Sequence, residues 1–171
     1  ETQAADREPD AARWAVRLDF EGANPDVRIR GRERAEAVVS YFRGRPSEWK
    51  TGLPTFAAVV YEDLWPGIDL LYGSEAGRPK YSFVVEPGAD PARIRLVYRG
   101  ASAVRITEAG RLSIETPVTT FEEDAPYSYQ EDGGTRIEVA SAFALEADST
   151  AAEGRFGFRL GSYDPTKPLV I

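Results

Sequence analysis

An all-β fold, an antiparallel β-sandwich of about ten to twelve short strands with only single-turn helices, is what three features of the chain predict. Apolar and polar residues alternate with the period of a half-buried strand. This is clearest where Tyr81, Phe83 and Val85 interleave with Ser82, Val84 and Glu86, and where Ile94, Leu96 and Tyr98 interleave with Arg93, Arg95 and Arg99. Turn chemistry such as Pro66-Gly67 and Asp132-Gly133-Gly134 separates the runs at short intervals. Helix signals are confined to single turns, at Pro46-Ser47-Glu48 and at Asp90-Pro91, where a capping residue precedes a Pro suited to the first helical position.

Size and composition allow a real core and exclude several kinds of chemistry. The 171 residues are 42% apolar, enough for one domain or two tightly joined halves, and too apolar for a disordered chain. A net charge of −7 argues against a nucleic-acid or anionic-membrane surface, since both call for a basic field. The chain has no Cys and no His, which removes disulfides, thiol nucleophiles, Ser-His-Asp and Cys-His arrangements and the common zinc ligands. No apolar run approaches the roughly 18 residues of a membrane helix.

In chain order, residues 1–12 read as a polar, flexible lead-in, and 13–171 as the β-sandwich domain. Trp14, Val16, Leu18 and Phe20 form a first strand, Val27 and Ile29 a short one, and Ala37 to Phe42 another. Arg43 to Pro54 reads as a loop in which Trp49 packs inward. Phe56–Tyr61 and Ile68–Tyr72 are apolar on both faces and suit central strands, with Gly73 to Pro79 as a loop beyond them. Val104 with Ile106 and Leu112 with Ile114 suggest a hairpin. Val118 to Phe121, Tyr127 to Gln130, Ile137 to Leu145 and Phe156 to Leu160 continue the strand pattern, and Leu169, Val170 and Ile171 read as a closing strand.

An internal echo underlies this order. Leu18-Asp19-Phe20-Glu21-Gly22-Ala23, followed by Val27-Arg28-Ile29, is matched by Leu96-Val97-Tyr98-Arg99-Gly100-Ala101, followed by Val104-Arg105-Ile106. Either a unit has been duplicated, or strand residues have recurred by chance. Duplication predicts matching Gly conformations at 22 and 100, and two following strands that bury their Val and Ile.

Several segments taken in order carry a resemblance: FEGANP, PGIDL within VVYEDLWPGIDLLY, FVVEPGADP, GRLSIET and YDPTKPLVI. Over nearly all of Leu18 to Ile171 the chain resembles an uncharacterised β-rich domain that precedes seven-bladed β-propeller repeats in large secreted bacterial proteins. The resemblance implies a bacterial extracellular or cell-surface location and a downstream β-propeller as partner. It carries no catalytic residues. Ser40-Tyr41-Phe42 and Tyr81-Ser82-Phe83 depart from the family pattern, which has Asn and Asp at the two Ser positions.

Two functional readings follow, from different classes. The first is a non-enzymatic structural or adhesion module adjoining a propeller. The second is a carbohydrate-binding or carbohydrate-active domain in which Trp65 supplies a platform and Glu62 and Asp69 supply carboxylates. An exposed Trp65 favours the second, a buried one the first. Glu122, Glu123 and Asp124 form an oxygen-rich cluster of the kind that holds calcium, although without the spacing of a known calcium loop; the bland reading is a solvated acidic face. Tyr127 and Tyr129 share one face of a strand.

Overall fold

A computed structural model describes residues 13–75, 77–147, 149–150 and 153–171; the predicted lead-in over 1–12 lies outside the described residues. In order, the strands are β1 (Arg17–Phe20), β2 (Arg28–Tyr41), β3 (Lys50–Trp65), β4 (Ile68–Glu75), β5 (Arg78–Val85), β6 (Leu96–Arg99), β7 (Ala103–Ile106), β8 (Leu112–Glu115), β9 (Thr120–Glu123), β10 (Ser128–Asp132), β11 (Thr135–Val139), β12 (Ser141–Leu145), β13 (Glu153–Leu160) and β14 (Leu169–Val170). Two 3-10 turns, Pro46–Glu48 and Pro91–Arg93, stand where Pro and capping chemistry predict them. Asp90 caps the second by accepting from the Ala92 amide at 3.0 Å.

The fold is all-β and every described pairing is antiparallel. Among the described residues three sheets form, ordered β1-β6-β13-β12, β11-β10-β14-β5-β4-β3-β2 and β7-β8-β9. The chain divides into two compact units, one of Glu1–Glu21, Arg95–Pro126 and Ala142–Arg159, the other of Gly22–Ile94, Tyr127–Ser141 and Leu160–Ile171. The units interleave along the sequence and are not successive halves.

The second unit builds its core on the Pro66-Gly67 turn. Gly67 takes a φ of 71°, the left-handed conformation that a turn of this kind requires at its second central residue. The turn closes the β3–β4 hairpin at Trp65↔Ile68 and sends both side chains inward, where Trp65 is 2% exposed and Ile68 fully buried. Trp65 lies 5.8 Å from Phe83, and Phe83 lies 5.7 Å from Tyr81. The expected face of β5 is thus the buried one, with Val85 beside Phe83 in the core.

The closing strand has a stronger role than its two residues suggest. β14 sits between β10 and β5, pairing Val170 with both Tyr129 and Val84. Ile171 then exchanges both backbone hydrogen bonds with Phe83, each at 2.9 Å. Leu169 and Ile171 are buried.

In the first unit Leu96, Val97 and Tyr98 are all buried, so β6 is covered on both faces. Tyr98 stacks on Phe156 at 5.8 Å and meets Phe121 edge-on at 6.0 Å. Charge pairs lace the strands: Asp19 joins Arg17 and Arg99, each at 2.7 Å, and Arg95 reaches Glu146. Burial by itself pushes the Asp19 carboxyl up, but hydrogen bonds from Arg99 and Arg17 outweigh it and hold the group below the usual aspartate value.

Three expectations are corrected. The separate strands at Val27–Ile29 and Ala37–Phe42 belong to one 14-residue strand, β2, and β3 starts at Lys50, inside the predicted loop. β2 is exposed along its whole length, so no buried face imposes apolar alternation on RGRERAE, and the apolar period of two disappears between its ends, where only charged residues recur at every second position. Gly73 to Pro79 is likewise mostly strand, with β4 and β5 paired out to Glu75↔Arg78.

The echo is half realised. Gly22 and Gly100 take φ of 66° and 84°. β1 and β6 pair with Asp19↔Val97 at the centre, so Leu18 faces Tyr98 and Phe20 faces Leu96, equivalent positions exchanged about a local two-fold. The strands that follow part company. β2 enters the seven-stranded sheet and β7 the three-stranded one, and Ile29 and Ile106 are exposed rather than buried.

Candidate functional site

Of the three residues proposed to form a carbohydrate site, Trp65 and Asp69 belong to the β3–β4 turn and Glu62 to the β2–β3 ladder. Asp69 Oδ1 accepts the Asp63 amide at 2.8 Å, and Asp63 Oδ1 accepts the Gly67 amide at 3.2 Å. These bonds hold Asp63 at a φ of 51°, a left-handed conformation that Asp tolerates better than most residues. Glu62 pairs with Arg30 across the β2–β3 ladder at 3.0 Å. Trp65, pointing inward, has no ring face to offer a sugar. The carboxylates are therefore engaged in ordering a bend and a ladder, and their aromatic neighbour belongs to the core.

Strand geometry also divides the proposed calcium cluster. In β9, Glu122 and Glu123 point to opposite faces. Glu122 meets Arg111 at 3.2 Å, whereas the Glu123 carboxylate accepts from the Tyr98 hydroxyl. Asp124 lies 3.7 Å from the Arg111 Nε. Among the described residues no group of three or more acidic side chains is arranged to hold a metal.

Tyr127 and Tyr129 do share a face, 5.8 Å apart, with the Arg136 guanidinium 4.3 Å above the Tyr129 ring. The opposite face of β10 is buried and polar. Gln130 donates to the carbonyls of Asp164, Lys167 and Pro168 at 2.8, 3.1 and 3.3 Å and accepts the Asp164 amide at 2.8 Å. It thereby ties down the loop that delivers β14. Sequence reading missed this role because one buried amide among tyrosines carries no periodic signal.

Several of the exposed large apolar side chains among the described residues stand on the β2–β3 hairpin. Pairing of β3 with β4 begins at Val59, whereas β2 pairs with β3 as far as Tyr41↔Lys50, so the distal half is a two-stranded ribbon. Its apolar residues face solvent: Val38 is 58% exposed and Phe42 63%, with Val39, Tyr41 and Phe56 beside them. Trp49, expected to pack inward, is 44% exposed and meets the edge of Phe42 at 5.1 Å. The ribbon is nonetheless ordered locally. Ser40 Oγ accepts the Gly52 amide at 3.1 Å, Thr55 donates to the Ala37 carbonyl at 2.6 Å, and Glu48 closes the tip on Arg45 at 3.1 Å. The Phe56 ring lies where a side chain at Gly31 would stand.

Charge distinguishes β2 and the tip that follows it. Arg28 to Lys50 holds seven basic and three acidic residues, a net +4 in a chain of −7. Arg28, Arg30, Arg32 and Arg34 recur at every second position, so they stand on one face of β2. The period was legible; its meaning was hidden because the alternating residues are charged rather than apolar.

A family described as a domain of unknown function, DUF7948, matches residues 1–171, and the chain belongs to that family. No curated protein and no solved structure matches the chain.

Proposed function

We propose that the chain is a non-enzymatic structural or adhesion module of a bacterial extracellular or cell-surface protein, adjoining a β-propeller, and that the β2–β3 hairpin is its working surface. The observation that carries this reading is the cluster of exposed Val38, Val39, Tyr41, Phe42, Trp49 and Phe56 on an ordered two-stranded ribbon rich in Arg. These side chains stand on both faces of the ribbon, with Phe42 and Trp49 in edge contact. Exposed apolar side chains gathered on one element mark interaction sites, and aromatic residues with Arg are the types enriched at protein interfaces. The propeller partner and the location rest on the resemblance of the PGIDL and PGADP segments. The buried Trp65 favours this reading over the carbohydrate one.

The test is binding of the 171-residue chain to the propeller segment of its parent protein, produced separately, followed by titration calorimetry. Binding that disappears in a Phe42→Ser, Trp49→Ser double variant with an unchanged melting midpoint supports the proposal. Retention of full affinity by that variant, or a glycan-array hit that the variant keeps, overturns it.

A further inference from the structure

We infer that the edge of β2 away from β3, which carries no strand among the described residues, takes up an extended acidic polypeptide segment as an additional strand, a conclusion that rests on the hairpin's being the working surface. β2 is the last strand of the seven-stranded sheet, and its one neighbour among the described residues is β3. Its 14 residues are exposed throughout, and among the described residues the hydrogen bonds of its backbone run to β3 alone. Such an edge presents a row of unpaired amides and carbonyls, the template for strand addition. The distal ribbon has a further reason to accept a third strand, because two strands alone are marginally stable in water.

Charge selects the occupant. A strand laid beside β2 places alternate residues directly opposite Arg28, Arg30, Arg32 and Arg34, at cross-strand contact distance. Arg30 is already paired with Glu62, and Arg32 reaches Glu33 at 3.9 Å. Arg28 and Arg34 have no ion pair among the described residues. An incoming segment with Asp or Glu at every second position meets these arginines as far as Arg34, where the ladder register shifts and Glu33, just before it, takes a left-handed φ of 57°. A second copy of this chain is the poorer fit, since β2 against β2 brings two arginine rows together and like charges opposed across strands are destabilising. Arginines also serve simply to keep an edge empty. Exposed Val38, Val39, Tyr41 and Phe42 on and beside the same strand argue against that use, because an edge that only repels neighbours has no need of them.

The probe is a ten-residue peptide alternating Glu with Val or Thr, compared with its Lys-for-Glu counterpart and with a version carrying Pro at alternate positions. Fluorescence anisotropy on the 171-residue chain should show binding by the acidic peptide only, weakened by added salt. It should also be weakened roughly tenfold by Arg28→Glu, Arg32→Glu and Arg34→Glu combined, the scale of three cross-strand charge pairs. Amide exchange should show new protection at alternate β2 residues on binding. Equal binding of acidic and basic peptides, binding without β2 protection, no binding, or a β2-protected homodimer of the free chain would each overturn the inference. Its failure is separable from failure of the broader proposal. If the propeller segment binds through Phe42 and Trp49 while β2 amides stay unprotected, the hairpin works by side chains alone; if that segment does not bind, the broader proposal falls too.

Discussion

Two regions of one sheet use similar residues to opposite ends. β4 and β5 bury Ile68, Leu70, Phe83 and Val85, whereas β2 and the first half of β3 hold Ile29, Val38, Val39, Tyr41 and Phe56 in solvent. The difference is one of neighbours. β5 lies between β14 and β4, both strands lending apolar side chains to its covered face, while β2 has β3 on one side and, among the described residues, no strand on the other. β-branched and aromatic residues therefore specify extended structure in both places, and burial follows where strands on both sides supply apolar neighbours.

Removing the interior strand that arrives last should do the most damage. Truncation after Asp164 deletes β14, leaving β5 and β10 with unpaired edges and Gln130 without two of its three acceptor carbonyls. Denaturant unfolding should show a loss larger than that from Ile68→Ala, Gly100→Val or Asp19→Asn. An unchanged midpoint would mean that β14 contributes nothing to the sheet.

Next in size is the contrast between single residues of the two regions. Ile68→Ala empties a fully buried site and should cost ~2–5 kcal/mol. Val38→Ala removes a side chain that is already 58% exposed and should stay within about 0.5 kcal/mol of the parent. Similar losses for both would mean that the hairpin is covered in solution.

The echo offers a finer test. Both Gly22→Val and Gly100→Val place a Cβ in left-handed backbone, a strain of roughly 1–2 kcal/mol or more. At Gly100 the new atom would also meet the Ala15 carbonyl at 2.7 Å, whereas at Gly22 it meets open space. Gly100→Val should therefore be clearly the worse in thermal melts; equal effects would show that backbone strain alone matters.

The smallest expected effect is electrostatic. Because the folded-state pKa of Asp19 is depressed, its contribution is complete above the ordinary aspartate value of about 3.9 and is lost as pH falls through the folded value. Asp19→Asn should flatten the acid limb of the stability–pH profile and leave its neutral-to-alkaline part parallel to the parent's. An acid limb unchanged in the variant would assign it to other carboxylates.

Much of the fold was legible in the residues. The buried face of β5, the capped turn at Asp90, the inward turn at Trp65–Ile68 and the closing strand at Leu169–Ile171 each follow from local chemistry that a sheet satisfies in one way. The candidate sites were less legible. Glu62, Asp63 and Asp69 look alike in sequence whether they serve a sugar or a bend, and only the ion pair with Arg30 and the hydrogen bonds to the amides of Asp63 and Gly67 assign them to the ladder and the bend. Glu122 and Glu123 are adjacent in the chain yet separated by the thickness of a strand. In β2 only the arginines keep a period of two, because a strand without a buried face shows no apolar period to read.

The residues alone were enough for the all-β class, the Pro66-Gly67 and Asp90-Pro91 turns and the alternation within β5, because these depend on backbone sterics and on side chains a few residues apart. Only the tertiary structure decided the rest. It seated β14 between β10 and β5, interleaved the two units, sent the strands that follow the echo into different sheets and left β2, among the described residues, with a strand on one side only. Those outcomes depend on which distant strands find one another, and an edge is defined by a neighbour that is missing rather than by any residue present in it.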